Sequence, residues 1–240
     1  MERVALVVGG SVIAPPEPDV GYLRRLAESL LAWARERQLL VVTGGGAPAR
    51  RAIEAARSLG VGEEALDRIG IAATRLNAQI LACVVKRFGG DVNAEVPRTI
   101  PEALDLAKRH RILVMGGTQP GHSTDYVAVE LAVEGKCARF VNATNVDGVY
   151  TRDPAKHRDA THKPSLTFEE MLAIIGEREW TAAGAPGVID GPSTVLIATK
   201  AIPTSVVKGT DLENLGKAVR GEPFHGTRVS GAAVKIPGGR

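Results

Sequence analysis

Aromatic residues are rare in this 240-residue chain: four Phe, three Tyr and two Trp make up 4% of it. With so few flat side chains, and no interleaving of them with basic residues, a base-stacking platform for nucleic acid is not expected. Cysteine is nearly absent. Cys83 and Cys137 lack CxxC spacing and sit in apolar stretches, which reads as buried thiols of a reducing compartment rather than a disulfide or a metal site. The histidines His110, His122, His157, His162 and His225 show no HxxxH-like ligand spacing, and no zinc is expected. Long apolar runs are missing as well: none approaches the roughly 18 residues that span a bilayer, and no signal-peptide pattern precedes the first aliphatic run. A cytoplasmic protein with no membrane partner is therefore expected. Nor is there an excess of one charge. Lys and Arg number 30 against 27 Asp and Glu, a formal net charge of +3. The basic residues are dispersed, so no polyanion-binding surface is required, while a small anionic ligand stays open.

What is present alternates. Val4–Val8 is an aliphatic run closed by Gly9-Gly10. Leu23–Arg37 repeats apolar residues at helical spacing, and Leu39–Val42 is a second aliphatic run closed by Gly44-Gly45-Gly46. That is a βαβ opening. The pattern continues with helices over Ala52–Ser58, Leu76–Phe88, Val127–Val133 and Leu212–Val219. Strands are predicted over Ile112–Met115, Phe140–Ala143 and Thr204–Val207, with a short edge strand at Gly226–Val229. Aliphatic runs without polar alternation predict strands buried on both faces, hence a mostly parallel sheet covered by helices. The expected fold is an α/β three-layer α/β/α sandwich. No linker, low-complexity tract or internal repeat divides residues 1–240, and one domain is expected.

Ligands of open parallel sheets bind outside the carboxyl ends of the strands, and four strand ends here carry unusual loops: Gly9-Gly10-Ser11, Thr43–Gly46, Gly116–Asp125 and Thr144–Gly148. Glycine lets backbone N–H groups approach a phosphate, and a following helix N-terminus adds a favourable dipole. One such loop is an ordinary strand-to-helix turn; four together describe an anion cradle. None fits GxxxxGK[ST] or a full GxGxxG, so a P-loop NTPase or a dehydrogenase has little support.

Three blocks are more specific: TGGGAPARRAIEAARSLGVGEEALDRIGIAATRLNA, then VMGGTQPGHSTDYVAVELA, then NATNVDGVYTRDP. In this order and at these separations the chain resembles the archaeal-type UMP kinases of the amino-acid-kinase superfamily, from its first strand to the C-terminal GTRV. The resemblance implies an amino-acid-kinase-like α/β/α sandwich that assembles as a hexamer. It implies transfer of a phosphoryl group from ATP to UMP, with Mg2+ held mainly through the ATP phosphates and no metal-ligating residues of the chain itself. The acceptor part would span about residues 1–135 and the ATP part about 136–240.

The resemblance also distributes roles. Gly44, Gly45 and Gly46 pass close to the acceptor nucleotide, and Arg50 meets its phosphate, a bidentate task suited to guanidinium. Arg51 is the less favoured neighbour. Asp67 matches a ribose-hydroxyl acceptor, although by itself it reads as an exposed helix residue. Thr118, Ser123 and Thr124 match hydroxyls around the UMP phosphate and base; Ser123 or Thr124 would otherwise be a plain helix N-cap. Asp125 matches the acid that positions catalytic lysines near the transferred phosphate, and it also suits a helix's first turn. Gly9, Gly10 and Ser11 lie with it at the catalytic centre, Gly10 and Ser11 also on the ATP side. Thr144, Asn145, Asp147, Tyr150, Asp153 and Pro154 match the ATP segment, with Lys156 just beyond as either an ATP contact or a solvated charge.

The chain departs from the family's pattern in two respects. Val7 and Ser11 stand where many superfamily members carry a lysine. After Asp190, where the family reads D-P-L-A-x-K, this chain reads DGPSTV, so Val195 replaces a lysine. Three explanations follow: Lys200, Lys208 or Arg50 supplies the charge, magnesium carries more of it, or the chain is a nucleotide-binding paralogue of impaired activity. A kinase for another small acid would keep the ATP half but not the acceptor blocks. Gly184–Pro192 is expected to form a mobile loop near the donor phosphates.

Overall fold

The run RVALVV folds as strand β1 (Arg3–Val8) with five of its six residues buried. Such a run loses little by burying both faces and fits the middle of a sheet. The computed structural model, which describes residues 1–152, 154, 156–175 and 188–235, places it there. A one-turn helix α1 (Gly10–Ile13) and α2 (Val20–Trp33) lead to β2 (Gln38–Thr43); α3 (Gly46–Ser58), α4 (Glu63–Arg87) and α5 (Ile100–Ala107) lead to β3 (Ile112–Met115). Then come α6 (Thr124–Glu134), β4 (Arg139–Thr144), the small strands β5 (Val149–Tyr150), β6 (His162–Lys163) and β7 (Ser165–Leu166), and α7 (Phe168–Ile175). The chain closes with α8 (Gly191–Lys200), β8 (Thr204–Lys208), α9 (Leu212–Arg220) and β9 (Thr227–Val229).

Seven described strands form one sheet in the order β3-β2-β1-β4-β8-β9-β7, and β5 pairs with β6 as a separate antiparallel ribbon. From β3 to β8 all neighbours are parallel, with Val7 of β1 level with Val42 on one side and Asn142 on the other. On one face Val4, Leu6, Val8 and Val207 pack against α2, α4 and α9; on the other Ala5, Val7, Phe140 and Val206 pack against α5, α6 and α8. The expected three-layer sandwich is present.

Several elements differ from the sequence reading. β9 is not an edge strand: β7 covers it, so β9 is paired on both sides, to β8 antiparallel and to β7 parallel. The two-residue β7 is too short to show any periodicity. Cys83 is exposed, because it lies on the outer face of α4; Cys137 is buried, and burial pushes its thiol up to about 12. Helix α4 begins at Glu63, well before the expected Leu76, because its first turns carry charges that mask the helical period. It also contains an 18-residue window of mean hydropathy 1.3, long and apolar enough by composition to cross a membrane. Here one face is instead spent inside the fold: Leu66, Ala78, Leu81 and Val85 are buried, and Asn77 bonds to a loop. Arg75 and Gln79 interrupt the stretch, so it does not stand out in the sequence as an apolar run.

Parallel strands β1, β2, β3 and β4 all end on one edge, at Gly9, Gly44, Gly116 and Asn145. There the glycines are required by contact. A Cβ on Gly10 would stand 2.3 Å from the Gly46 nitrogen, and one on Gly44 would stand 2.3 Å from the Gly10 nitrogen. The loops after β1 and β2 therefore touch backbone to backbone. Gly46 adopts φ +66°, and a Cβ there would lie 2.3 Å from the Ala14 carbonyl oxygen. Gly62, at the N-terminus of α4, has nothing within 4 Å. Gly10→Ala should thus lower the melting temperature by roughly 5 °C or more, as a forced backbone shift of a few kcal/mol does, whereas Gly62→Ala should stay within about 2 °C of wild type. Thermal melts followed by circular dichroism check this, and an unchanged Gly10→Ala melt would remove the contact argument.

Candidate active site at the carboxyl edge of the sheet

The loop between β3 and α6, residues 116–123, is held from below by α4. Thr74 accepts a hydrogen bond from the Gly117 N–H at 2.7 Å through its Oγ1. Arg75 donates from Nε to the Gly117 carbonyl at 3.0 Å and from Nη2 to the Thr118 carbonyl at 2.8 Å. Two residues on, Asn77 donates to the carbonyls of Gly44 and Gly45 at 2.8 and 3.1 Å. One helix stretch, TRLN, thus fixes two loops at once. Asp67, about two turns before Thr74 on α4, accepts from the Gly121 N–H at 2.7 Å through Oδ2. It is half-buried rather than an exposed helix residue, and its carboxylate is engaged by the 116–123 loop. Burial removes water from the Thr118 Oγ1 and His122 Nδ1 atoms, and neither has a hydrogen-bond partner. Orphaned polar atoms of this kind are uncommon in a finished fold and suit a ligand contact.

Two helix N-termini converge above this loop. Ser123 caps α6, accepting from the Tyr126 N–H at 2.9 Å, and Asp190 caps α8, accepting from the Ser193 N–H at 2.9 Å. The Ser123 hydroxyl donates to Asp190 Oδ2, joining the two caps, and the Ser193 hydroxyl donates to the same oxygen at 2.6 Å. Asp125 stands beside them in the first turn of α6. Its surface is partly open to the cleft, but dense protein surrounds the carboxyl. Burial, and then the neighbouring Asp190 charge, push it up to about 8. The helix dipole favours ionisation there by about 1 kcal/mol at most in ordinary settings. A shift of this size, at about 1.4 kcal/mol per unit, is several times larger in the other direction. Both causes favour the protonated carboxyl of Asp125 at neutral pH.

At the neighbouring strand end, Gly9 donates its N–H to the Ala143 carbonyl at 2.8 Å, and its own carbonyl accepts from Val12 and Ile13. Thr144, at the end of β4, is buried and lies level with Lys208 of β8. In the following turn the Tyr150 hydroxyl donates to Asp147 at 2.8 Å, and His225 lies 3.3 Å from the other Asp147 oxygen. These contacts, the tyrosine's first, hold Asp147 below the usual carboxylate range. Asn145 and Pro154 are exposed. Asp153 and residues 184–187 of the expected mobile loop lie outside the described residues; the rest of that stretch is ordered differently from expectation, with Ile189 buried, Asp190 capping α8 and Gly191 and Pro192 opening that helix. Arg50 and Arg51 are exposed on α3, with Arg50 one turn beyond Gly46.

Four loops on one sheet edge, two capped helix N-termini and a buried carboxyl are thus brought together at one place in the fold. A family model for the amino acid kinase family matches residues 2–208. The chain belongs to that family. It is 41% identical over 220 residues to the uridylate kinase of Methanothermobacter thermautotrophicus, covering 92% of this chain and 96% of that one. It is 37% identical over 227 residues to the uridylate kinase of Methanobrevibacter smithii, covering 95% and 98%. Among solved structures, the uridylate kinase of Archaeoglobus fulgidus superposes with a TM-score of 0.85 at 40% identity, covering 96% of this chain and 100% of that one.

In this amino acid kinase the residues that support the site were less legible than those that line it. Thr74, Arg75 and Asn77 lie within the TRLNA block, but nothing in the spacing of a helix says which backbone its side chains will meet. Asp190 is visible in the sequence only as the acid before a departed motif, whereas the fold makes it the hub of three donors. His162 and His225, more than sixty residues apart in sequence, stack at 5.6 Å beside Tyr150 and Asp147.

Asp125 carries a stability signature. Its folded pKa lies above the unfolded value of 3.8, so between roughly pH 4 and pH 8 the folded chain holds a proton that the unfolded chain has lost. Stability falls as pH rises through that window. Asp125→Asn should therefore melt higher than wild type at pH 8, by about 5 °C or more on the usual scaling, with the gap shrinking toward pH 5. Paired melts at the two pH values measure it; a gap that does not depend on pH would mean that Asp125 ionises normally.

Proposed function

We propose that this amino acid kinase is a UMP kinase, transferring the γ-phosphoryl group of ATP to UMP to give UDP and ADP in pyrimidine nucleotide synthesis. The observation that carries the reading is the convergence on one sheet edge of both glycine loops, the 116–123 loop and Asp125, in a chain whose near-full-length relatives are uridylate kinases. The acceptor part, about residues 1–135, holds UMP; the part from about 136 to 240 holds ATP.

UMP lies along Gly44, Gly45 and Gly46, with Arg50 on its phosphate and Asp67 presenting its free oxygen to the ribose. Thr118, Ser123 and Thr124 surround the phosphate and base. ATP lies over Gly9, Gly10 and Ser11 and against Thr144, Asn145, Asp147 and Tyr150, with Asp153 and Pro154 beyond. An oxygen of the UMP phosphate attacks the γ-phosphorus; a P–O bond forms there, and the bond to the bridging oxygen breaks with its electron pair left on ADP. Little covalent work falls to the chain. Its tasks are to align the two phosphates and to keep water out. Neutral Asp125 does not repel the incoming phosphates, and it can donate a hydrogen bond to one.

Among the described residues no group of three or more His, Cys, Asp or Glu is arranged to hold a metal. On this reading magnesium would be held mainly through the ATP phosphates. A homo-oligomer, by likeness a hexamer, and a cytoplasmic setting complete the proposal. The exposed apolar residues Leu76, Ile80 and Phe88 on and just after α4 offer a surface for subunit contact. Nothing observed favours binding without transfer as the chain's role.

A coupled assay of UDP formation from ATP, magnesium and UMP tests the reading. Wild type should turn over, and Asp125→Asn should lose about a hundredfold or more in kcat, the scale for removing one preorganised group from a phosphoryl-transfer site. Arg50→Met should raise the UMP KM about tenfold or more, as the loss of a charge-assisted phosphate contact does. Tight UMP binding by calorimetry with no UDP formed would replace the reading with a binding role.

A further inference from the structure

The site has two carboxyl groups, Asp125 and Asp190, and proposes to receive two phosphates, yet no lysine or arginine comes from the start of α6 or α8. Val195, half-buried on α8, stands where the family's sequence pattern carries a lysine. Phosphoryl transfer concentrates negative charge on the transferred group and the leaving oxygen, and a cation at that point is worth orders of magnitude in rate.

The fold decides between the available cations. Lys200 is the last residue of α8, about 13 Å of helix away from the N-terminus that faces the cleft. Arg50 belongs to α3, which follows β2, and β2 lies three strands from β8, about 14 Å across the sheet. Lys156 is already engaged. Lys208 is differently placed. It is the final residue of β8, at the carboxyl edge, and is level with Thr144 in the parallel ladder. Alternation along a strand sets its face. Val206 packs on the side of the sheet that carries α6 and α8, so Lys208, two residues on, projects to that side as well. Asn142, two residues before Thr144 on the same face, donates to the Val188 carbonyl at 2.9 Å, just ahead of Asp190. The next residue, Gly209, donates its N–H to the Thr144 carbonyl at 2.7 Å, and a Cβ there would touch Val12 of α1 at 3.0 Å. Lys208 is exposed, and among the described residues no hydrogen bond or ion pair engages its ammonium.

We propose that Lys208 is the catalytic cation of this chain, reaching from the end of β8 to the donor phosphates and neutralising the charge that grows on the leaving oxygen, in place of the lysine absent at Val195. The assignment rests on the UMP kinase reading. Its test uses the full chain with ATP, magnesium and UMP. Lys208→Met should lower kcat about a hundredfold with the UMP KM within about threefold of wild type, and its melting temperature should hold because the side chain is exposed. Adding Val195→Lys to that variant should recover tenfold or more, since the new ammonium would enter the same space from α8. Lys200→Met should keep wild-type turnover. A Lys208→Met enzyme within about threefold of wild type in kcat would overturn the assignment while leaving the kinase reading intact. A wild-type protein that makes no UDP would overturn both.

Discussion

The contact of Gly10 with Gly44 and Gly46 is the constraint from which the site is built. Strands β1 and β2 run parallel in register to Val8 and Thr43, and their following loops must turn away within the width of one strand spacing. With any side chain at Gly10 or Gly44 the two backbones could not meet, since a Cβ would stand within 2.3 Å of a backbone nitrogen. Because they do meet, α1 and α3 start side by side and their N-termini share one edge. The glycines thus serve shape first, and openness to a phosphate follows from that shape.

The second level of organisation is a tie between helices. Ser123 and Asp190 are each the cap of a helix, and the hydrogen bond between them makes α6 and α8 share one junction. A single carboxylate oxygen receives both serine hydroxyls. That junction brings the Asp190 charge close to the buried Asp125, and burial outweighs the helix dipole.

Support for the acceptor loop comes from α4. The loop's carbonyls at Gly117 and Thr118 are held by Arg75, and its N–H groups at Gly117 and Gly121 by Thr74 and Asp67. A backbone held in this fashion is preorganised, because the cost of ordering it is met on folding rather than on binding. The same helix presents Leu76 and Ile80 outward, so one element links loop geometry with the surface proposed for assembly.

Much of this was legible in the chain alone. The aliphatic runs at 4–8, 39–42, 112–115 and 140–143 are strands within a residue or two of expectation, because burial on both faces leaves no other residue type to use. The four glycine-bearing strand ends likewise came out on one edge, since parallel strands joined by crossovers all point the same way. Tertiary structure alone decided the rest. The short strands β5, β6 and β7 have two residues each and no pattern of their own. The start of α4 and the exposure of Cys83 depend on which helix face meets the sheet. Asp125 looked like a charge welcomed by a helix terminus, and only its neighbours make it hold a proton. The place of Lys208 beside Thr144 follows from pairing two strands more than sixty residues apart, and long-range pairing is written in packing, not in local sequence.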